Sequence, residues 1–277
     1  RCGARCLERR ARVPNVLDAR RFWPATRHSF AVLGGRFRHS MSRHDTVAGT
    51  RGTLVDPVIL HALQAANTTR TVSLTRQAAF PGLDTQSLVS LARVIARGYD
   101  RLVTVNLCGQ RLCAESCAAL CRAAHDGASF RVLDCGDCDI GDTAASALAD
   151  LIILNDNLQR VYLPNNRIRT EGATALAGAL IARPGARLKT VDLSFNPLIG
   201  NGGACALAAA LRTTAPEELR ISHCGVCDEG AVALGKQLKR KDSLKKLHLD
   251  GNALRAETQL LLAKLATEAD VTLTLFS

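Results

Sequence analysis

Leu188-Lys189-Thr190-Val191-Asp192-Leu193-Ser194-Phe195-Asn196-Pro197-Leu198 is the stretch from which the rest of the chain can be read. Apolar side chains stand at its first, fourth and sixth positions, an asparagine at its ninth and a leucine at its eleventh. Side chains alternate across a strand, so Val191 and Leu193 face one side while Thr190 and Asp192 face the other.

Outward from it, the same ladder recurs five more times. Before it come Leu102, Val105, Leu107, Gln110, Leu112; then Phe130, Leu133, Cys135, Cys138, Ile140; then Leu158, Val161, Leu163, Asn166, Ile168. After it come Pro216, Leu219, Ile221, Cys224, Val226 and Leu244, Leu247, Leu249, Asn252, Leu254. Successive starts are 28, 28, 30, 28 and 28 residues apart. A weaker first copy has Val72 and Leu74 as its strand and Thr69 and Gln77 at its outer positions, and Phe80, Pro81 and Gly82 mark a loop behind it.

Each unit then changes period, as a switch from strand to helix requires. Leu120, Leu148, Leu176, Leu207, Leu234 and Leu262 recur among alanines, with an apolar or small residue four positions on to make a buried helical stripe. Residues 54–66 suit a capping helix, with Pro57 in its first turn and Val58, Leu60 and Leu63 on its apolar side. Val271-Thr272-Leu273-Thr274-Leu275 alternates as an edge strand does. Gly200, Gly202 and Gly203 read as loop glycines.

A fixed period of this length, six times in register, resembles the leucine-rich-repeat family, in the ribonuclease-inhibitor-like class shared with Ran GTPase activators and NOD-like receptors. The resemblance covers roughly residues 54–277. It implies an α/β solenoid of about seven repeats, with parallel strands on a concave face and helices on a convex one. It also implies that the asparagine at the ninth position bonds to the backbone of the turn leaving the strand, linking adjacent repeats, with cysteine as a weaker substitute and Gln110 as a departure that loosens its coil. Two features depart from the Ran activators: the repeats are fewer, and the long acidic tail is missing.

Composition separates two regions. Residues 1–51 hold twelve arginines, no lysine and three acids, which is +9 of the chain's +11. This Arg-rich extension, with Arg9, Arg10, Arg12, Arg20, Arg21, Trp23, Arg36 and Arg38 as its contact residues, has three readings: a mitochondrial-type targeting segment, an arm lying on RNA or on an acidic subunit, or upstream translation ahead of Met41. Residues 52–277 form the repeat domain and are close to neutral.

Chemistry finds little purchase. No apolar run approaches the ~20 residues of a membrane span. Eleven cysteines in a chain without an apolar leader are expected as reduced thiols, and an intracellular location, mitochondrial or cytoplasmic, follows. The pairs Cys135/Cys138 and Cys224/Cys227 sit three strands apart, about 14 Å, too far to share one tetrahedral zinc. Cys113, Cys117 and Cys121, spaced by four, read as a buried helical row. Ser222, His223, His248, Asp192 and Asp250 invite a catalytic triad, yet no nucleophile turn or oxyanion pair accompanies them, and isolated surface histidines are expected instead. No phosphate loop or dinucleotide fingerprint is present.

The expectation is therefore a non-catalytic scaffold without cofactor, metal or small-molecule substrate, an accessory subunit binding protein subunits of a larger assembly. Its partner-binding residues are Arg160, Tyr162, Asp192, Phe195, Glu218, Arg220, Lys246 and His248, on the strand face opposite the leucines. The other reading is a soluble regulator or inhibitor of an enzyme or GTPase.

Overall fold

The computed structural model describes residues 57–75, 82–98, 102–126, 129–183, 188–213, 216–239 and 244–275. The extension 1–51, Gln77 and the loop at 80–81 lie outside them.

Helix α1 (Pro57–Thr69) leads into a strict alternation: β1 (Thr71–Ser73), α2 (Thr85–Gly98), β2 (Thr104–Asn106), α3 (Ala114–His125), β3 (Val132–Asp134) and α4 (Asp142–Leu154). It continues with β4 (Arg160–Tyr162), α5 (Thr170–Ala182), β5 (Thr190–Asp192), α6 (Gly200–Ala210), β6 (Glu218–Arg220), α7 (Asp228–Gly235), β7 (Lys246–His248), α8 (Ala256–Ala269) and β8 (Thr272–Thr274). All eight strands form one parallel sheet in chain order. Val72, Val105, Leu133, Val161, Val191, Leu219, Leu247 and Leu273 stand side by side in it. The described residues thus form a leucine-rich-repeat solenoid.

The core lies between sheet and helices. The central strand residues and Leu120, Leu148, Leu176, Leu207, Leu234 and Leu262 are all buried apart from Leu273 in the edge strand, which packs half-buried against them. Helices stack closely because small residues meet where they cross. A Cβ on Gly172, Gly203 or Gly230 would come within 3.1, 3.0 and 2.9 Å of the Cβ of Ala145, Ala173 and Ala204 in the preceding helix. Gly202 and Gly203 therefore lie in the first turns of α6 as packing residues, correcting their reading as loop glycines; only Gly200 takes a left-handed φ, of +60°.

Three further corrections follow from local geometry. In the unit that starts at Leu188 the helix leucine, Leu207, comes 19 residues on rather than the 18 of the other units, so Ile199 fills the core while Leu198 is turned out. In α1 the buried stripe is Ile59, Ala62, Leu63 and Ala66, with Leu60 exposed. Gln110 still links its coil to the repeat before it. It is buried, donates from Nε2 to the Leu74 carbonyl (2.5 Å) and accepts at Oε1 from the Leu83 amide (2.8 Å), its extra methylene reaching across to the first repeat.

The asparagines behave as the resemblance implies. Asn166 Oδ1 accepts from the amides of Cys138 and Ile140, and its Nδ2 donates to the carbonyls of Cys135 and Leu163. Asn252 repeats this on Cys224, Val226, Ile221 and Leu249. At the same position the Cys138 and Cys224 thiols donate to Leu107 and Leu193 carbonyls, both at 3.1 Å.

A second inter-repeat link has no counterpart in the sequence reading. Asp142, first residue of α4, accepts from the amides of Arg169 and Gly172 and so caps α5. Asn201 caps α7 through Cys227 and Gly230, and Asp228 accepts from Arg255 ahead of α8. These orphan amides are satisfied by the preceding helix because the residues at the cap positions themselves, Arg169, Cys227 and Arg255, make no side-chain cap bond.

Candidate protein-binding surface

Strand alternation turns two residues per strand away from the core, and β4 to β7 bring seven of the eight expected partner-binding residues into two rows. Arg160, Thr190, Glu218 and Lys246 are register neighbours, as are Tyr162, Asp192, Arg220 and His248. Phe195 follows at the C-terminal ends of the strands. The arm residues Arg9, Arg10, Arg12, Arg20, Arg21, Trp23, Arg36 and Arg38 lie outside the described residues.

The rows divide into a bonded plate and free groups around it. Glu218 Oε1 accepts from Arg220 Nε (2.8 Å) and Nη2 (2.7 Å) and meets His248 Nε2 at 3.1 Å. Arg220 Nη1 lies 3.8 Å from Asp192 Oδ2. Thr274 Oγ1 lies 2.9 Å from Asp250 Oδ2 and 3.0 Å from His248 Nδ1. Ser222 Oγ donates to Asp250 Oδ2, at 2.9 Å. Burial pushes the Glu218 carboxyl up, but the hydrogen bond and charge of Arg220, with His248 and Lys246, outweigh it and hold the group below the usual carboxylate range.

This network corrects two readings. His248 is half-buried between Glu218 and Thr274, and His223 stacks on Phe195 with ring centroids 4.6 Å apart, so neither is an isolated surface histidine. Serine, histidine and aspartate do not fall in line for a triad, because Asp250 is shared by two hydroxyls and the ring contacts neither it nor Ser222 directly. Asp192 is 7% exposed and accepts from the Ser194 amide (2.9 Å); Thr190 is covered as well. Their bulkier neighbours on β4 and β6 explain the burial, so Asp192 supports the plate rather than offering a free carboxylate.

Arg160, Lys246 and Phe195 stand exposed. Phe195 adopts a left-handed φ of +59°, a conformation that bulky side chains rarely take, with half of its surface in solvent. His223 (φ +54°) supports one ring face and itself lies on Gly251, whose Cβ would fall 2.1 Å from the imidazole. Local sequence gives no sign of this stacked ledge, since it joins residues 28 apart.

The cysteine row also differs from its reading as a buried face. Cys117 is buried, Cys121 half-buried, and Cys113 exposed just ahead of α3. Burial raises Cys113, but Ser116 Oγ (3.3 Å), the backbone amides of Ser116 and Glu115 and the Thr85 hydroxyl (3.7 Å) lower it further, to about 7. Burial drives Cys117 and Cys224 to about 12.

Comparison with known proteins finds the repeat in part of the chain. A leucine-rich-repeat family model matches residues 128–149, 188–208 and 217–235. Ribonuclease inhibitor of Sus scrofa is 32% identical over 93 residues, 33% of this chain but only 20% of the inhibitor's length. Among solved structures, the tropomodulin C-terminal domain of Caenorhabditis elegans has a TM-score of 0.44 at 19% identity, covering 57% of this chain and 93% of that one. Actin-binding site 2 of leiomodin-1 has a TM-score of 0.34 at 13% identity, covering 79% and 90%. The parallel sheet, the alternating helices and the matched repeats together define a leucine-rich-repeat fold, similar over a third of the chain to ribonuclease inhibitor. Such repeats are protein-interaction scaffolds, and the families matched are non-catalytic. No helix among the described residues is long and apolar enough to cross a membrane.

Proposed function

We propose that this protein is a non-catalytic scaffold, an accessory subunit of a larger assembly, that holds a protein partner on the sheet face of β4 to β7. The plate of Asp192, Arg220, Glu218 and His248 carries this reading. It joins three strands through direct polar contacts, which fixes the ground on which exposed Arg160, Lys246 and Phe195 and half-buried Tyr162 stand. Aromatic and arginine side chains presented on a rigid support are the usual anchors of a protein interface. The Arg-rich extension supplies a second contact, to RNA or to an acidic subunit.

A photo-reactive amino acid placed at Tyr162, on the sheet face, and separately at exposed Ile181, on α5, tests the reading in native extract. A defined partner crosslinked from position 162 and not from 181 supports it; crosslinking from 181 alone moves the interface to the helices and overturns it. The alternative, a regulator or inhibitor of an enzyme or GTPase, draws on the stretch shared with ribonuclease inhibitor. It predicts that the crosslinked partner is a single enzyme whose rate the chain changes.

A further inference from the structure

We propose that the sheet face receives an acidic segment of its protein partner, seated along the N-terminal ends of the strands. The inference rests on the sheet-face reading above and adds the partner's chemistry and direction.

Parallel strands put all their N-terminal ends on one side, so charges at matching positions accumulate there instead of cancelling. Arg160 and Lys246 open β4 and β7, Arg131, Lys189 and Lys245 stand one residue ahead of β3, β5 and β7, and all five are exposed. Against them stand Glu218, first residue of β6, and Glu217 just ahead of it. Glu217 is shared between Lys245 Nζ (3.0 Å) and Lys189 Nζ (3.7 Å), and Glu218 is spent on Arg220 and His248. Arg131, Arg160 and Lys246 form no ion pair among the described residues. An arginine carries five N–H donors, so exposed Arg131, just ahead of β3, and Arg160, first on β4, each offer a fork for a carboxylate.

The C-terminal ends of the strands are different in kind. Asp134 accepts from the Gly136 amide (3.1 Å), Asp192 from the Ser194 amide, and Asp250 from the hydroxyls of Ser222 and Thr274. These acids hold turns and neighbours together. The surface therefore offers unspent positive groups on one side and internally committed negative ones on the other, with the aromatic ledge of Phe195 and His223 beyond them. A strand-shaped or helical protein segment with carboxylates toward the N-terminal rim and an apolar group toward the ledge matches both. A polyphosphate backbone running across the face would meet Asp134, Asp192 and Asp250 along with the cations, which favours a protein partner over nucleic acid.

The test uses the full chain, with a fluorescein-labelled peptide of eight glutamates as probe and its glutamine counterpart and an oligouridylate as comparisons. A triple reversal, Arg131→Glu, Arg160→Glu and Lys246→Glu, changes exposed groups only, and a thermal melt unchanged within a few degrees certifies its fold. The glutamate peptide should lose affinity by about tenfold or more at low ionic strength, with the loss fading as salt screens the contact. The glutamine peptide should be indifferent to the reversal. Equal glutamate-peptide affinity for wild type and variant sinks the proposal, as does oligouridylate binding that the reversal abolishes. In either case, partner crosslinking from position 162 that survives the reversal leaves the sheet-face reading standing, so the two failures are told apart.

Discussion

At the scale of single residues, the ninth-position side chain decides how tightly one repeat holds the next. Asn196 is fully buried, accepts from the Ile168 amide and donates to the Leu163 and Leu193 carbonyls. Asn196→Ala leaves those backbone groups without partners in the interior and should cost about 3 kcal/mol in a urea titration. Asn196→Cys should fall between, because the thiol at Cys138 and Cys224 reproduces only the donor half of the asparagine. Thiol chemistry is equally local. Cys113, exposed and lowered to about 7, should be alkylated by iodoacetamide near neutral pH well before any other described cysteine, with peptide mapping as the readout. Modification appearing first at Cys117 or Cys224, both raised to about 12, would contradict the assigned hydrogen bonds. Spacing alone put Cys113, Cys117 and Cys121 on one face and could not tell a helix's first interior position from the residue that precedes it.

At the scale of elements, glycine separates what helix propensity wants from what packing allows. Gly178 lies exposed in α5 with nothing near its missing Cβ, so Gly178→Ala should stabilise by about 0.5–1 kcal/mol. Gly203→Ala should instead destabilise, by about 1–3 kcal/mol, since its Cβ would lie 2.5 Å from Ile199 Cγ2 and 3.0 Å from Ala173 Cβ. Paired melts of the two variants give opposite signs if the close approach of α5 and α6 is correct. Asp228 gives a pH prediction. The Arg255 amide, with Thr258, holds its carboxyl below the ordinary range, so this contribution is present above the unfolded pKa and is lost as pH falls through the folded one. Amide exchange in the first turn of α8 should speed up as the solution is acidified through and below the usual carboxylate range. Asp228→Asn, which keeps an acceptor without titrating, should remove that dependence.

At the scale of the whole molecule, the fold was legible because repetition writes the same constraint many times. Val105, Leu133, Val161, Leu219 and Leu247 declared the strands, and Leu120 through Leu262 the helices, through spacing alone. The caps from Asp142, Asn201 and Asp228 were not legible, because an acid or amide in a helix's first turn has an obvious local use and its true partner lies 26–30 residues ahead. His248 was placed on its strand and Phe195 beyond the end of its own, but neither with its neighbours, for the same reason. In a solenoid each repeat touches only those beside it, so hydrogen exchange should be slowest in β4 to β6 and fastest at outermost β8, whose far edge has no strand partner among the described residues. The two sets of links between repeats also point in opposite directions. Asparagines reach back to close a turn already made, whereas the caps reach forward to a helix not yet begun. A chain emerging from the ribosome, N-terminus first, therefore meets the starts of α5, α7 and α8 already provided for, while the turn behind stays open until the following repeat arrives to shut it. Growth is guided one step ahead and locked one step behind.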